Sequence, residues 1–156
     1  MRSRTSMWFI CKIAYEKVME DGLQKKVKED YVVNALSFSE AEARIMEEMS
    51  AYISGEFSVA NIKKAPFAEI FFSDNDTDDT WYKAKLQFIT IDEKTEKEKR
   101  SNVNYLVQAS SLNKAIKNID EVMGGTMIDY VSCSVAEMPY LDVFEYKPKA
   151  EKEDEC

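Results

Sequence analysis

Histidine is absent from all 156 residues. That removes Ser-His and Cys-His nucleophilic pairs, and histidine-ligated metal sites, from the chemistry available within this chain. Cysteine is scarce: Cys11, Cys133 and Cys156 lie far apart at no zinc or redox spacing, and they read as reduced thiols of a cytoplasm, bacterial or that of an infected host. No run approaches the roughly 18 apolar residues of a membrane span. The opening MRSRTS lacks the apolar stretch of a secretory signal, so no membrane association is expected. Positive charge is in deficit, with 21 Lys and Arg against 29 Asp and Glu and a net charge of −8. Such a field disfavours nonspecific nucleic-acid binding, although it leaves room for a local basic patch. What the chain does have is core material: 45% hydrophobic and 12% aromatic residues, enough for one domain or two very small ones.

The second feature present is an echo. APFAEIFF at 65–72 resembles MPYLDVF at 138–144. WFICKIAY begins at Trp8 and WYKAKLQF at Trp81, an offset of 73. Tyr31 in YVVNALS corresponds to Tyr105 in YLVQASS, an offset of 74, and Pro66 to Pro139, an offset of 73. Between these anchors Lys12, Val33, Ala41, Ile45, Glu47, Met49 and Phe71 recur as Lys85, Val107, Ala115, Ile119, Glu121, Met123 and Phe144. Matches in one order along most of both halves point to an internal duplication.

Each copy reads as a ββαβ unit. WFICKIAYEKV and WYKAKLQFITI are half-alternating, β-rich strands. Asp21-Gly22 signals a hairpin in the first copy, where the second has the charged, longer loop DEKTEKEKR. A second strand ends at YVVNAL or YLVQAS. A helix follows, with Ser37 and Glu40 or Ser39 and Glu42 at capping-box spacing. Its apolar stripe is Phe38, Ala41, Ile45, Met49 and Tyr52 in one copy, and Leu112, Ala115, Ile119 and Met123 in the other. Gly55 and Gly124 are candidate helix stops. FSVANIK and YVSCSVA are third strands, and the Pro-aromatic segment closes each unit as a short edge strand, where proline is tolerated. The expected fold class is therefore α+β: an internal duplication of a ββαβ unit, with antiparallel sheets and one helix per repeat. The expected segments are a first repeat at 7–72, an acidic linker at 73–80, a second repeat at 81–146 and a disordered charged tail at 147–156, with the repeats sharing one pseudo-symmetric body. Met7 directly precedes the first repeat and reads as a candidate natural start, which would make MRSRTS an upstream extension or a short basic arm.

Most motifs dissolve on inspection. Asp74, Asp76 and Asp78 alternate as in a calcium loop, but the required glycine position holds Asp79 and the bidentate acid position Lys85. Gly124-Gly125 follows a helix and lacks the lysine of a phosphate loop. Glu47 and Glu121 fall away from the apolar stripe, so a solvated face is the reading rather than a catalytic pair. Catalytic, metal and cofactor sites are all read as none. Cys11 and Cys133 fit core packing. The first strands say more. One face carries Phe9, Cys11, Ile13 and Tyr15, and in the second copy Tyr82, Ala84, Leu86 and Phe88, apolar and suited to lie under the helix. The other face carries Trp8, Ile10 and Lys12, and Trp81, Lys83, Lys85 and Gln87. Trp8, Lys12, Trp81, Lys83 and Lys85 form a candidate surface for a protein partner or for single-stranded nucleic acid. The competing structural reading is that the tryptophans cover the second face of the sheet or pack the repeats together.

The stretches WFICKIAYEKVMEDGLQKKVKEDYVVNALSFSEAEARI, YISGEFSV, WYKAKLQFITIDEKTEKEK, YLVQA, GTMIDY and SVAEM...DVF together resemble the domain-of-unknown-function family numbered four-four-nine-four, from Met7 to about Tyr146. The resemblance implies a protein of Bacteroidetes genomes, their mobile elements and phages, and implies no activity or site residues. The functional expectation is a non-enzymatic binding protein, a phage or mobile-element accessory engaging a host protein. The alternative is a single-stranded nucleic-acid-binding protein using the Trp/Lys face. A homodimer is compatible with either.

Overall fold

The computed structural model describes residues 1–147. Apart from Lys147, the charged tail lies outside the described residues, and so does Cys156. The elements in chain order are β1 (Arg2–Thr5), β2 (Trp8–Val18), β3 (Gln24–Asn34), α1 (Phe38–Tyr52), β4 (Phe57–Lys64), β5 (Glu69–Phe72), β6 (Thr80–Ile91), β7 (Glu98–Ala109), α2 (Leu112–Gly124), β8 (Asp129–Met138) and β9 (Tyr140–Phe144). The protein is α+β, with two helices and two mixed sheets dominated by antiparallel pairs.

Two compact units emerge. One comprises, among the described residues, 7–65 and 140–147. Its four strands run in the order β4-β2-β3-β9. Trp8–Val18 and Gln24–Asn34 pair antiparallel along their whole length, with Val18 opposite Gln24. The turn between them places Gly22 at φ 82, a left-handed conformation natural to glycine, and Asp21 Oδ1 accepts the Leu23 N–H at 3.0 Å. On one face of this sheet Phe9, Cys11, Ile13 and Val33 bury themselves against Ala41, Ile45 and Met49 of α1. The helical stripe is narrower than its apolar residues suggest, because Phe38 and Tyr52 at its two ends stay 55% and 68% exposed.

The other unit comprises Met1–Ser6 and Pro66–Pro139. Its five strands run in the order β1-β5-β7-β6-β8. Here Tyr82, Ala84, Leu86 and Val107 bury themselves against Ala115, Ile119 and Met123 of α2. The helices start alike. Ser37 caps α1 at φ −154, ψ 165 and its Oγ accepts the Glu40 N–H. Ser111 caps α2 at φ −156, ψ 167 and accepts the Lys114 N–H. Each such cap satisfies an N–H that the helix leaves orphaned. Glu40 Oε1 reaches back to the Leu36 N–H at 3.1 Å.

Three expectations are corrected. The sheets are not purely antiparallel: β9 runs parallel on β3 and β5 parallel on β7. Strand β5 is not an edge, since it lies between β1 and β7. Pro66 precedes β5, and Pro139 separates β8 from β9, so neither ring removes a ladder hydrogen bond from those strands. Within MRSRTS, Arg2–Thr5 pairs antiparallel with Glu69–Phe72. Cys133 is exposed rather than packed. The β6–β8 register shifts between Lys85 and Leu86, leaving Cys133 as the extra residue between Ser132 and Ser134, and a bulge of this kind turns its side chain out of the alternation.

Candidate functional site

The residues singled out from the sequence do not form an open face. Trp8 and Trp81 are 1% and 4% exposed, so neither ring is available to a base or to a partner's side chain. Ile10 and Val32 are buried in the unit of Trp8, and Ile70 and Leu106 in the unit of Trp81; alternation puts Trp8, Ile10 and Val32 on the face of their sheet opposite the helix. Lys12 and Lys83 are half-buried and Lys85 is exposed. Beside Lys85, the Gln87 amide donates to Asn102 Oδ1 at 3.1 Å, and exposed Arg100 lies one register step further along. A stacking platform built on the tryptophans is therefore not present: Trp8 opens β2 opposite Asn34, and Trp81, the second residue of β6, lies between Gln108 of β7 and Met138 of β8. Asp78 of the acidic linker is also buried, and accepts a hydrogen bond from Ser73 Oγ.

Exposed apolar surface lies at the opposite end of the first hairpin. Strand β4 flanks β2 only as far as Tyr15, and β9 flanks β3 only from Asp30. Residues 16–29 are thus a two-stranded ribbon. At its tip Val18 and Leu23 are 65% and 67% exposed, with Met19 beside them. Just behind the tip Lys17 stands directly opposite Lys25, a like-charged cross-strand pair that destabilises an isolated ribbon. A groove of about 590 Å³ opens alongside, lined among others by Tyr15, Glu16, Gln24, Lys26, Glu56 and Phe57. The Tyr15 hydroxyl is bonded to Glu29, which pushes it up to about 12. The β6–β7 hairpin ends instead in the charged turn Asp92–Lys97, with Glu96 at φ 57.

The end of the short parallel strand β9 is clamped. Asn34 Oδ1 accepts the Tyr146 N–H at 2.7 Å and Asn34 Nδ2 donates to the Tyr146 carbonyl at 2.9 Å. The Asn34 carbonyl in turn accepts from Arg44 Nη1 of α1. In the other unit Gln108 Oε1 accepts the Ser73 N–H at 2.9 Å, and the Gln108 carbonyl accepts from Asn118 of α2 at 3.1 Å. Outside β9's clamp, Tyr31 and Phe144 stack with centroids 5.8 Å apart and planes at 19°, and Tyr52 of α1 lies 6.3 Å from Phe144. Burial, with the Glu29 and Asp142 charges adding to it, pushes the Tyr31 hydroxyl up to about 12. Desolvation raises the Asp142 carboxyl, and the Glu48 charge adds to that.

The tip residues were visible in the sequence as apolar positions flanking the Asp21-Gly22 turn. The aromatic surface was not, because it depends on a parallel pairing between residues more than a hundred positions apart. Among the described residues no group of three or more Cys, Asp or Glu is placed to hold a metal ion, and no helix is long and apolar enough to cross a membrane.

The sequence model of the family described as Domain of unknown function (DUF4494) matches residues 7–146. No curated protein matches the chain, and no solved structure does.

Proposed function

We propose that this chain, which belongs to the DUF4494 family, is a non-enzymatic binding protein that engages a protein partner through the tip of its β2–β3 hairpin. The observation that carries the reading is the exposure of Val18, Met19 and Leu23 together at the end of an unsupported ribbon. Contiguous exposed apolar side chains on a soluble domain cost solvation and mark interaction surfaces. Glu20 and Asp21 at the turn itself disfavour an anionic surface such as a phosphate-rich membrane, and favour a protein with an apolar pocket and a mixed-charge rim. The biological setting in this reading is a phage or mobile-element accessory protein meeting a host protein in the cytoplasm.

The test is affinity capture from cells of the native host, with and without nuclease, comparing the wild type with a V18T/L23S variant. A partner retained after nuclease by the wild type and lost by a variant of unchanged circular dichroism and melting supports the reading. Equal recovery by both overturns it. Recovery that nuclease abolishes favours the alternative, a single-stranded nucleic-acid interaction at Lys83, Lys85 and Arg100.

The architecture behind this tip we read as an internal duplication of a ββαβ unit, with repeats at 7–72 and 81–146 whose closing strands are exchanged. Equivalent positions behave alike, which supports the reading. The registers Phe144 with Val33 and Phe71 with Val107 correspond under the sequence offsets. So do the bulges after Lys12 and Lys85, the caps Ser37 and Ser111, the clamps Asn34 and Gln108, and the helix donors Arg44 and Asn118.

A further inference from the structure

Among the described residues strand β9 is the edge of its sheet, whereas the corresponding strand β5 is covered by Arg2–Thr5. The covering segment is extended, antiparallel and basic, and the Arg2 guanidinium sits 4.3 Å from the centre of the Phe72 ring. It also precedes the residues matched by the family model, so it is an addition to the repeated framework rather than a part of it. The β9 edge has the chemistry to receive a segment of the same kind. The Tyr31–Phe144 stack lies beside it, with Tyr52 68% exposed. Asp142 is exposed on β9 itself, and Glu48 on α1 and Glu29 on β3 act on the same group of residues. Glu48 accepts the Tyr146 hydroxyl, and the Arg44 guanidinium is turned to the Tyr146 ring and Glu40. Asp142 Oδ1 accepts the Val143 N–H at 2.8 Å, so it stands where an incoming strand's carbonyl would bond.

We propose that the β9 edge is a strand-acceptor site for an extended, arginine-bearing segment of a partner protein. The segment adds antiparallel to β9 and sets a guanidinium over the Phe144 and Tyr31 rings, within reach of Asp142 and Glu48. Backbone pairing supplies the affinity of such strand addition, and side-chain contacts at alternate positions supply its selectivity. Arginine suits the position better than lysine, because its planar group stacks on an aromatic face and bonds a carboxylate in a fork. The incoming carbonyl takes over the Val143 N–H and releases the Asp142 carboxylate to the guanidinium. This site is separate from the hairpin tip, and the two readings stand or fall independently.

The probe is the synthetic hexapeptide MRSRTS, titrated into the isotope-labelled full chain and followed by amide chemical shifts and hydrogen exchange. Saturable shifts at Leu141–Glu145, with slowed exchange of β9 amides, are the expected result. Asp142→Asn and Tyr52→Ala, both at exposed positions, should each weaken binding several-fold with the free-state spectrum otherwise intact. The control peptide MSSSTS should bind at least tenfold more weakly. No saturable shift at β9 overturns the proposal. So does equal binding of MSSSTS, or shifts confined to β1 and Glu69–Phe72, which would mean that the peptide exchanges with the chain's own first strand.

Discussion

Replacing Asn34 by alanine tests how β9 is held. The side chain is 4% exposed and makes both of its hydrogen bonds to one backbone residue, Tyr146, at 2.7 and 2.9 Å. Each bond contributes about 1 kcal/mol net, and leaving a buried partner unsatisfied costs about 1–3 kcal/mol. Tyr146 is half-buried, so water re-solvates part of its backbone and the penalty falls at the low end. The expected loss is about 2–3 kcal/mol by urea unfolding, accompanied by a fall in melting temperature of roughly 4–12 °C for a chain of this size. Gln108→Ala removes one bond, to the Ser73 N–H, and should cost about 1 kcal/mol. Hydrogen exchange should quicken in β9 for the first variant and in β5 for the second. An N34A protein within about 0.5 kcal/mol of the wild type, well below one hydrogen bond, would refute the reasoning.

Other expectations concern caps, thiols and tryptophans. Ser37→Ala and Ser111→Ala should each cost about 1 kcal/mol, and by similar amounts, since the two caps share one geometry; an effect at only one would break that equivalence. Burial first, with the Asp30 charge adding to it, pushes the Cys11 thiol up from 9.0 to about 12. Tyr31 and Tyr140, chiefly through burial, rise from 10.0 to about 12. These groups hold their protons more tightly when folded, so their contribution is intact below pH 9 and is lost as pH climbs from 9 toward 12; a urea midpoint that stays flat to pH 11 would contradict this. In a C156S background, Cys133 should react with a thiol reagent in the native state and Cys11 only on unfolding. Trp8 and Trp81 should give blue-shifted emission, resist acrylamide, and show no quenching by oligonucleotides, because both are closed to solvent.

Local pattern carried much of this fold. The strand beginning at Trp8 alternates apolar residues toward α1, and Cys11, Ile13, Ile45 and Met49 pack as that alternation predicts. The Ser37 cap was legible three residues ahead of Glu40. What could not be read was where a short segment pairs. EIFF and YLDVF are too short to name their neighbours, and each pairs parallel with a strand that local turn chemistry does not point to. The candidate site moved for the same reason. Strand alternation gives Trp8 and Trp81 a face, but not whether that face is covered; Ile10 and Val32 are buried in the unit of Trp8, and Ile70 and Leu106 in the unit of Trp81. Cys133 leaves the core alternation through one residue of bulge, which is enough to reverse a side chain's direction.

The pairing of β9 with β3 and of β5 with β7, which we read as an exchange of closing strands between two repeats, is the centre of this account, and interstrand proton NOEs test it most directly. Backbone NOEs connecting Val143 with Val32, and Ile70 with Leu106, are the predicted result. NOEs connecting Val143 with Leu106 and Ile70 with Val32 would mean that each segment closes its own repeat, and would contradict it.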